Sequence, residues 1–399
     1  REKFVKIRKE ILNQTYKLNI DKNHINFLIS LSMQCFLNEY IYDQSKDEIE
    51  KIKKIDERIK NNLKENKEIS DLDILCLLCY EPLTNFSWSN KVKFSDKLKE
   101  IFKLHLDHNE IEIQISKSIK SISKVKDHVS IKVKKQYEEN PYPRWENLGL
   151  SIEPREIKEV INDNDLNLDL KKITNSESPE ILIAGCGTGQ HAITTASKYQ
   201  KSKILALDLS FKSLSYAKRK TKELNFKNIE YIQGDILNIK NLKKQFDIIE
   251  CVGTLHHMGD PFKGWKNLVN CLSPEGIMKI GLYSELARQH IVEIRKEIAS
   301  LGLGTSANEI RRFRQLLAGS YDENHQLLTK SSDFFSISTL RDLVFHVQEH
   351  RFTLPQIKNC LYELGLKFCG FENKDIISNF KEFHRNEADI YDLEHWHHN

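Results

Sequence analysis

Apolar residues recur at two different periods along the chain, and the change of period divides it. "HINFLISLSMQCFLNEYIY" (24–42) and "LDILCLLCY" (72–80) carry apolar stripes at helical spacing. Between them lies the charged stretch "SKDEIEKIKKIDERIKNNLKENKE", whose isoleucines keep the same spacing. Residues 1 to about 130 contain no glycine and read as successive amphipathic helices, with Pro82 and Asn85 breaking one connection. "QYEENPYPRW" (136–145) interrupts this texture, because two prolines one residue apart forbid a regular helix. From residue 179 strand and helix alternate. "EILIAG", "KILALDLS", "IEYIQGDI" and "FDIIECVG" are short apolar strands. "GQHAITTASKYQ" and "FKSLSYAKRKTKELNF" are helices between them, and a short helix near "NLKKQ" precedes the fourth strand. "GWKNLVNCLSPEGIMKIGLY" adds helix, turn and a fifth strand. Such alternation predicts parallel βαβ units, hence an α/β doubly wound sheet with its ligand at the carboxyl edge of the strands.

This pattern implies three regions: a helical N-terminal domain over 1–130, a Pro/aromatic linker and lid over 131–178, and an α/β domain over 179–399. Within the last, residues 284 to about 350 read as a helical, basic insertion, and "TLPQIKNCLYELGLKFCGFEN" is expected to close the sheet. The 399 residues are 39% hydrophobic and 30% charged, ordinary for a globular protein, and no run has the length of a membrane span. Sixty-one basic and 57 acidic residues give a net charge of +4, which by itself does not argue for nucleic acid. The eight cysteines are scattered in mostly apolar stretches and read as reduced core residues of a cytoplasmic protein. Cys76 and Cys79 have metal or redox spacing but no partner pair, so they too read as core. The chain begins at Arg1 without a methionine or a signal-peptide pattern, and it reads as a fragment whose upstream part is missing. No internal repeat is evident.

Ala184-Gly185-Cys186-Gly187-Thr188-Gly189 follows a strand and opens a helix, where glycine permits tight turning and close backbone approach. The spacing is G-x-G-x-G, not the G-x-G-x-x-G of dinucleotide enzymes. Asp208 ends the second strand, Gly234-Asp235 the third, and "FDIIECVGTLHHMGDP" carries the fourth into a loop with His256 and His257. Together these four ordered motifs resemble the class I S-adenosylmethionine (SAM)-dependent methyltransferases over roughly residues 130–283. The resemblance implies SAM as cofactor, with Gly185, Cys186, Gly187 and Gly189 at its amino-acid part. It also implies Asp208 on the ribose and Asp235 on adenine; Leu209 and the Ile236 amide are expected beside them, and Tyr137 is expected at the cofactor from the Pro-rich segment read as a lid. "QCFLNEYIY", "QYEENPYPRW", "GLYSELAR" and "DLVFHVQEHRFT" look like a bacterial subgroup often attached to tetratricopeptide repeats, which would lie upstream of Arg1.

Methyl transfer from a sulfonium is an in-line displacement, so a general base is optional and alignment matters most. Candidates on the acceptor side are Tyr142 and Arg144 in the Pro-rich segment, His256 and His257 after the fourth strand, and Tyr283 after the fifth. His346, Glu349, His350 and Arg351 form a further group, and a helix there would place His346 and His350 on one face. No third ligand accompanies them, so a polar lining is expected rather than a metal site. The expected catalytic set is His256, His257, Tyr283, Tyr142, His346 and His350. The expected substrate-binding set is Arg144, Arg288, Glu349 and Arg351. Arg288, Arg295, Arg311, Arg312 and Arg314 form either a solvated face or a basic wall for a carboxylate or phosphate. Glu250 on the fourth strand lacks a second glutamate to clamp a guanidinium, which disfavours arginine methylation. The sequence therefore predicts methyl transfer to a small-molecule acceptor, with no nucleic acid or membrane partner. A protein or peptide acceptor docked on the helical domain and a non-catalytic SAM-binding scaffold are the alternatives.

Overall fold

The computed structural model describes residues 2–18, 21–151, 153–163, 166–169, 177–384 and 389–397. Contacts divide the chain into two compact units, each built from two segments. One comprises Arg1–Gln114 with Glu293–Phe345, the other Ile115–Val292 with His346–Asn399. The segment read as an insertion into the α/β domain thus belongs for most of its length to the unit of the N-terminal helices.

The first unit is helical. Helices Glu2–Tyr16, Ile25–Leu37, Lys46–Lys64 and Asp71–Leu78 enclose Leu12, Leu28, Ile55, Ile59 and Leu75, all fully buried. The charged stretch becomes the Lys46–Lys64 helix because Ile52, Ile55 and Ile59 fall on one face, while Ser45 and Glu48 close its start as a capping box. Arg58 grips Asp73 through two hydrogen bonds of 2.9 and 2.6 Å. Cys35, Cys76 and Cys79 lie in this core. The basic wall is not formed. Arg314 is buried, donates to the Phe334 carbonyl and stacks over Tyr42, while Arg311 donates to the Tyr40 carbonyl and Arg295 to that of Val344. Only Arg312 of that group is exposed. A guanidinium that satisfies a carbonyl inside the core is not offered to a ligand.

The second unit carries a six-stranded, wholly parallel sheet of order β1-β4-β3-β2-β5-β6. The strands are β1 Lys120–Ser121, β2 Glu180–Ala184, β3 Lys203–Asp208, β4 Ile229–Gln233, β5 Phe246–Val252 and β6 Leu272–Gly281. In β2 the side chains alternate between two cores. Ile181 and Ile183 pack with Ala192, Ala196, Leu214 and Ala217, whereas Leu182 and Ala184 pack with Ile249, Trp265 and Leu268. Both faces are therefore covered, which explains the unbroken apolar runs. Two expectations are corrected here. Residues 120–121, read as helix, pair with β4 as an extra edge strand. The "LGLKFCGF" run does not close the sheet: Leu354–Glu363 is a helix, but residues 364–371 form no strand. Gly365 and Gly370, at φ +66° and +125°, bracket a run of four residues whose Leu366 is partly buried against the core that holds Trp265 and Leu268.

Candidate active site

All parallel strands present their carboxyl ends to one edge, and the chain order reverses between β2 and its neighbours β3 and β5. A crevice forms at such a reversal. The glycine loop leaves β2 there and enters the Gln190–Lys198 helix. Gly185 and Gly187 have φ of +79° and +51°, and each is pressed against another part of the chain. A Cβ on Gly185 would overlap Thr254, and one on Gly187 would lie 2.6 Å from the Tyr142 carbonyl oxygen. Their first role is thus to let the loop dock against the β5 turn and the Pro-rich segment. That segment straps over the loop: Trp145 donates to the Thr188 carbonyl (3.2 Å), and the Thr188 hydroxyl donates to that of Pro143. Trp145 itself is buried against Ile193 and Tyr216, while Arg144 is exposed and does not line the crevice.

A cavity of about 420 Å³ opens along this edge. It brings together Gly185, Cys186 and Gly187 of the loop, Asp208 and Leu209 at the end of β3, Asp235 and Ile236 after β4, and His257 after β5, with Tyr137 from the last turn of the His128–Glu139 helix and Tyr142 from the strap. Of the expected cofactor residues, Gly189 alone is not on its wall; a Cβ there would instead meet Ala217. Asp208 accepts the Gly187 amide at 2.8 Å and the Ser210 amide at 2.9 Å. Burial nevertheless pushes its carboxyl up to about 6. Asp235 accepts the Leu237 amide through Oδ1 at 2.9 Å, but its buried Oδ2 has no hydrogen bond of normal geometry, although Ser130 lies beside it. A buried acceptor without a donor is costly, and an exocyclic amino group entering the cavity would satisfy it. The Cys186 thiol is pushed far up by burial and stays protonated.

Beside the cavity the acceptor candidates form a column. The Arg288 guanidinium lies 3.7 Å over the Tyr283 ring, which stacks at 3.7 Å on His256. His256 meets His257 edge-on at 4.3 Å, and His257 stacks at 3.6 Å on His346. His346 Nε2 lies 3.1 Å from the Tyr137 hydroxyl. One residue sets two tautomers. The Gln348 carbonyl can only accept, so His257 Nδ1 carries a proton (2.7 Å). The Gln348 amide can only donate, so His346 Nδ1 is bare (3.2 Å) and its Nε2 proton points to Tyr137. His256 is buried with neither ring nitrogen bonded, and burial first, then His257 and Arg288, press its pKa down to about 2. The helix expected to carry His346 and His350 ends at Val344, and residues 346–350 are irregular. They are held by the His350 amide donating to the His256 carbonyl at 2.7 Å. Glu349 is clamped by Arg288 at 2.7 Å and Arg351 at 3.6 Å. Arg351 also donates to Glu285 at 3.1 Å, so two arginines are balanced by two glutamates, and none of Arg288, Glu349 and Arg351 lines the cavity.

A third group was not foreseen. His191, on the first turn after the glycine loop, lines the cavity and places Nε2 2.7 Å from Glu250 of β5. Thr195 donates to the same carboxylate oxygen at 2.6 Å. An acid in the middle of a buried strand must be paired, and that was the available signal.

Residues 176–325 match the model of a family described as a methyltransferase domain. An uncharacterised protein of Synechococcus is 29% identical over 206 residues, 49% of each chain, so this chain spans about half the length of that relative. A ubiquinone biosynthesis O-methyltransferase of Rickettsia canadensis is 26% identical over 50% of this chain and 81% of its own. A demethylmenaquinone methyltransferase of Lactobacillus johnsonii is 26% identical over 40% and 63%. Among solved structures, PKMT2 from Rickettsia typhi with bound AdoHcy superposes with a TM-score of 0.42 at 19% identity, over 55% of this chain and 46% of that one. Most of the parallel sheet, with its glycine loop, lies within the stretch that is similar to a methyltransferase domain. The match accounts for β2 to β6 and the glycine loop; it does not extend to the strap or to the 346–351 segment.

Proposed function

We propose that this protein transfers a methyl group from SAM to a small-molecule acceptor, releasing S-adenosylhomocysteine. The observation that carries the reading is the single cavity in which the glycine loop, Asp208 and Asp235 meet Tyr137 and His257. Its residues fit the cofactor: Asp208 offers a carboxylate to vicinal hydroxyls, and Asp235, buried beside Ser130 on the same wall, offers one to an amino donor. When bound, SAM supplies an electrophilic methyl on a sulfonium. The chain's own task is to hold the acceptor in line and keep water away. Tyr137 and Tyr142 close one side and His257 walls another, backed by the His346 ring stacked on it, with ring orientations preset by Gln348. A cavity of this size suits a small acceptor, and relatives named for ubiquinone and menaquinone methylation point the same way.

Calorimetry with SAM and S-adenosylhomocysteine tests the reading first: absence of binding for both would sink it. Asp208→Ala is expected to weaken cofactor binding at least tenfold, because a charged hydrogen-bond acceptor is lost. Labelled SAM offered with cell extract split into small-molecule and protein fractions then assigns the acceptor. Label in the small-molecule fraction is expected. Label confined to protein would favour a protein acceptor, and binding without any transfer would indicate a scaffold. Among the described residues no helix is long and apolar enough to cross a membrane.

A further inference from the structure

Charge is unevenly spread along the chain. Residues 117–135 hold seven lysines and one acid, whereas the whole chain has a net charge of only +4. The acid, Asp127, is spent as the N-cap of the His128–Glu139 helix, where it accepts the Ser130 amide at 2.9 Å. Lys120, on the edge strand β1, and Lys124, Lys126, Lys132 and Lys135 are exposed, and none of these five has an ion pair among the described residues. Lys134 lies 5.0 Å over the Phe211 ring, and Lys218 reaches Ser118 from the helix that follows β3. Glu138 turns inward to the Phe211 amide (2.7 Å), while Glu139, on the last turn, is exposed. Like charges gathered on one face repel one another, and an anionic partner relieves that repulsion.

The His128–Glu139 helix is two-faced. Ser130, Val133 and Tyr137 line the cavity, whereas Ile131, 49% exposed, lies outside with Lys132 and Lys135. Two features select the anion. Every cation of the strip is a lysine, a hydrated point charge without the flat fork by which arginine grips a single phosphate. The strip also contains no Phe, Tyr or Trp on which a nucleic-acid base could stack. It offers instead an exposed isoleucine among lysines whose aliphatic stems can lie along apolar surface.

We propose that this face docks on an anionic phospholipid bilayer, with Ile131 entering the headgroup region and the lysines held at the lipid phosphates. The contact is peripheral and does not depend on the methyltransferase reading. It narrows the expectation of no membrane partner, which followed from the lack of an apolar span and does not reach surface contacts. Docking sets the helix that walls the cavity against the bilayer.

Flotation of the full chain with vesicles tests it. Wild type is expected to float with phosphatidylglycerol and phosphatidylcholine in equal parts and to stay behind with phosphatidylcholine alone. Raising salt from about 0.1 M to about 1 M is expected to release it. Lys132→Gln combined with Lys135→Gln is expected to weaken binding about tenfold or more, the combined scale of two lysines at an anionic surface. Ile131→Ala, which keeps a helix-forming residue, is expected to weaken it severalfold. Lys91→Gln combined with Lys93→Gln removes the same charge from exposed positions outside the strip and is expected to leave binding unchanged. Thermal melting verifies that all three variants fold. A folded wild type that does not float with the anionic vesicles overturns the proposal, as does unchanged binding by either strip variant. An equal loss on substituting Lys91 and Lys93 overturns it too, because net charge alone would then explain the contact. A single-stranded oligonucleotide that displaces the vesicles at lower concentration overturns it in favour of nucleic acid.

Discussion

Two buried titratable side chains set opposite pH dependences, and each is open to measurement. Asp208 has its pKa raised to about 6, so the folded chain holds that proton more tightly than the unfolded chain does. Its contribution to stability is full below the ordinary carboxyl value near ~4 and is lost as pH rises through about 6, by at most about 3 kcal/mol. Ribose hydroxyls donating to the carboxylate would favour its charged form. Cofactor binding near pH 6 is therefore expected to release a proton, and the calorimetric enthalpy should vary with the ionisation enthalpy of the buffer. An enthalpy independent of buffer would contradict this. His256 behaves in the reverse sense. Its lowered pKa keeps the folded ring neutral, so stability is full above ~6.5 and lost as pH falls below it, while the unfolded chain takes up the proton. His256→Phe retains a ring against Tyr283 and should flatten the fall in melting temperature between pH 6.5 and 4. An unchanged slope would show that the acid sensitivity lies elsewhere. Both residues were legible as site candidates from their strand ends. Their charge states were not, because burial belongs to neighbours distant in sequence.

At the scale of elements, the strap and the glycine loop depend on each other. Gly187→Ala would force a Cβ to within 2.6 Å of the Tyr142 carbonyl at a positive φ. It should cost about 1–3 kcal/mol in denaturant unfolding and make residues 136–146 more susceptible to proteolysis. Wild-type protease resistance in that variant would mean the strap does not depend on close approach at Gly187. Periodicity located β2 to β6 and the helices between them, since a strand covered on both faces leaves an unbroken apolar run. It could not find β1, a two-residue strand that exists only because β4 offers an edge. It also misassigned 346–350 as helix. The i, i+4 spacing of two histidines describes a helix face only when the backbone is helical, and here pairing with the His256 carbonyl decides the backbone instead.

At the scale of the molecule, the helical unit draws on two segments far apart in sequence. Arg311 donates to the Tyr40 carbonyl, the Ser338 amide to Glu39, and Arg314 stacks on Tyr42. A chain beginning at residue 115 is thus expected to lose hydrogen-exchange protection over 293–345. Retained protection would show that this segment folds without the first helices. The arrangement also explains why the arginines of 311–314 were misread. Amphipathic spacing reports that one helix face is buried, but not which partner buries it. Sequence alone determined the strand–helix alternation, the glycine turn and the acids at successive strand ends, because period and turn chemistry are local properties of the chain. Only the tertiary structure decided which donors and acceptors remain for a ligand. The loop amides turn inward, Glu349 is clamped by two arginines, and His191 on the cavity wall is paired with the buried Glu250. Hydrogen-bond satisfaction depends on residues brought together from distant parts of the chain, and no spacing rule carries it.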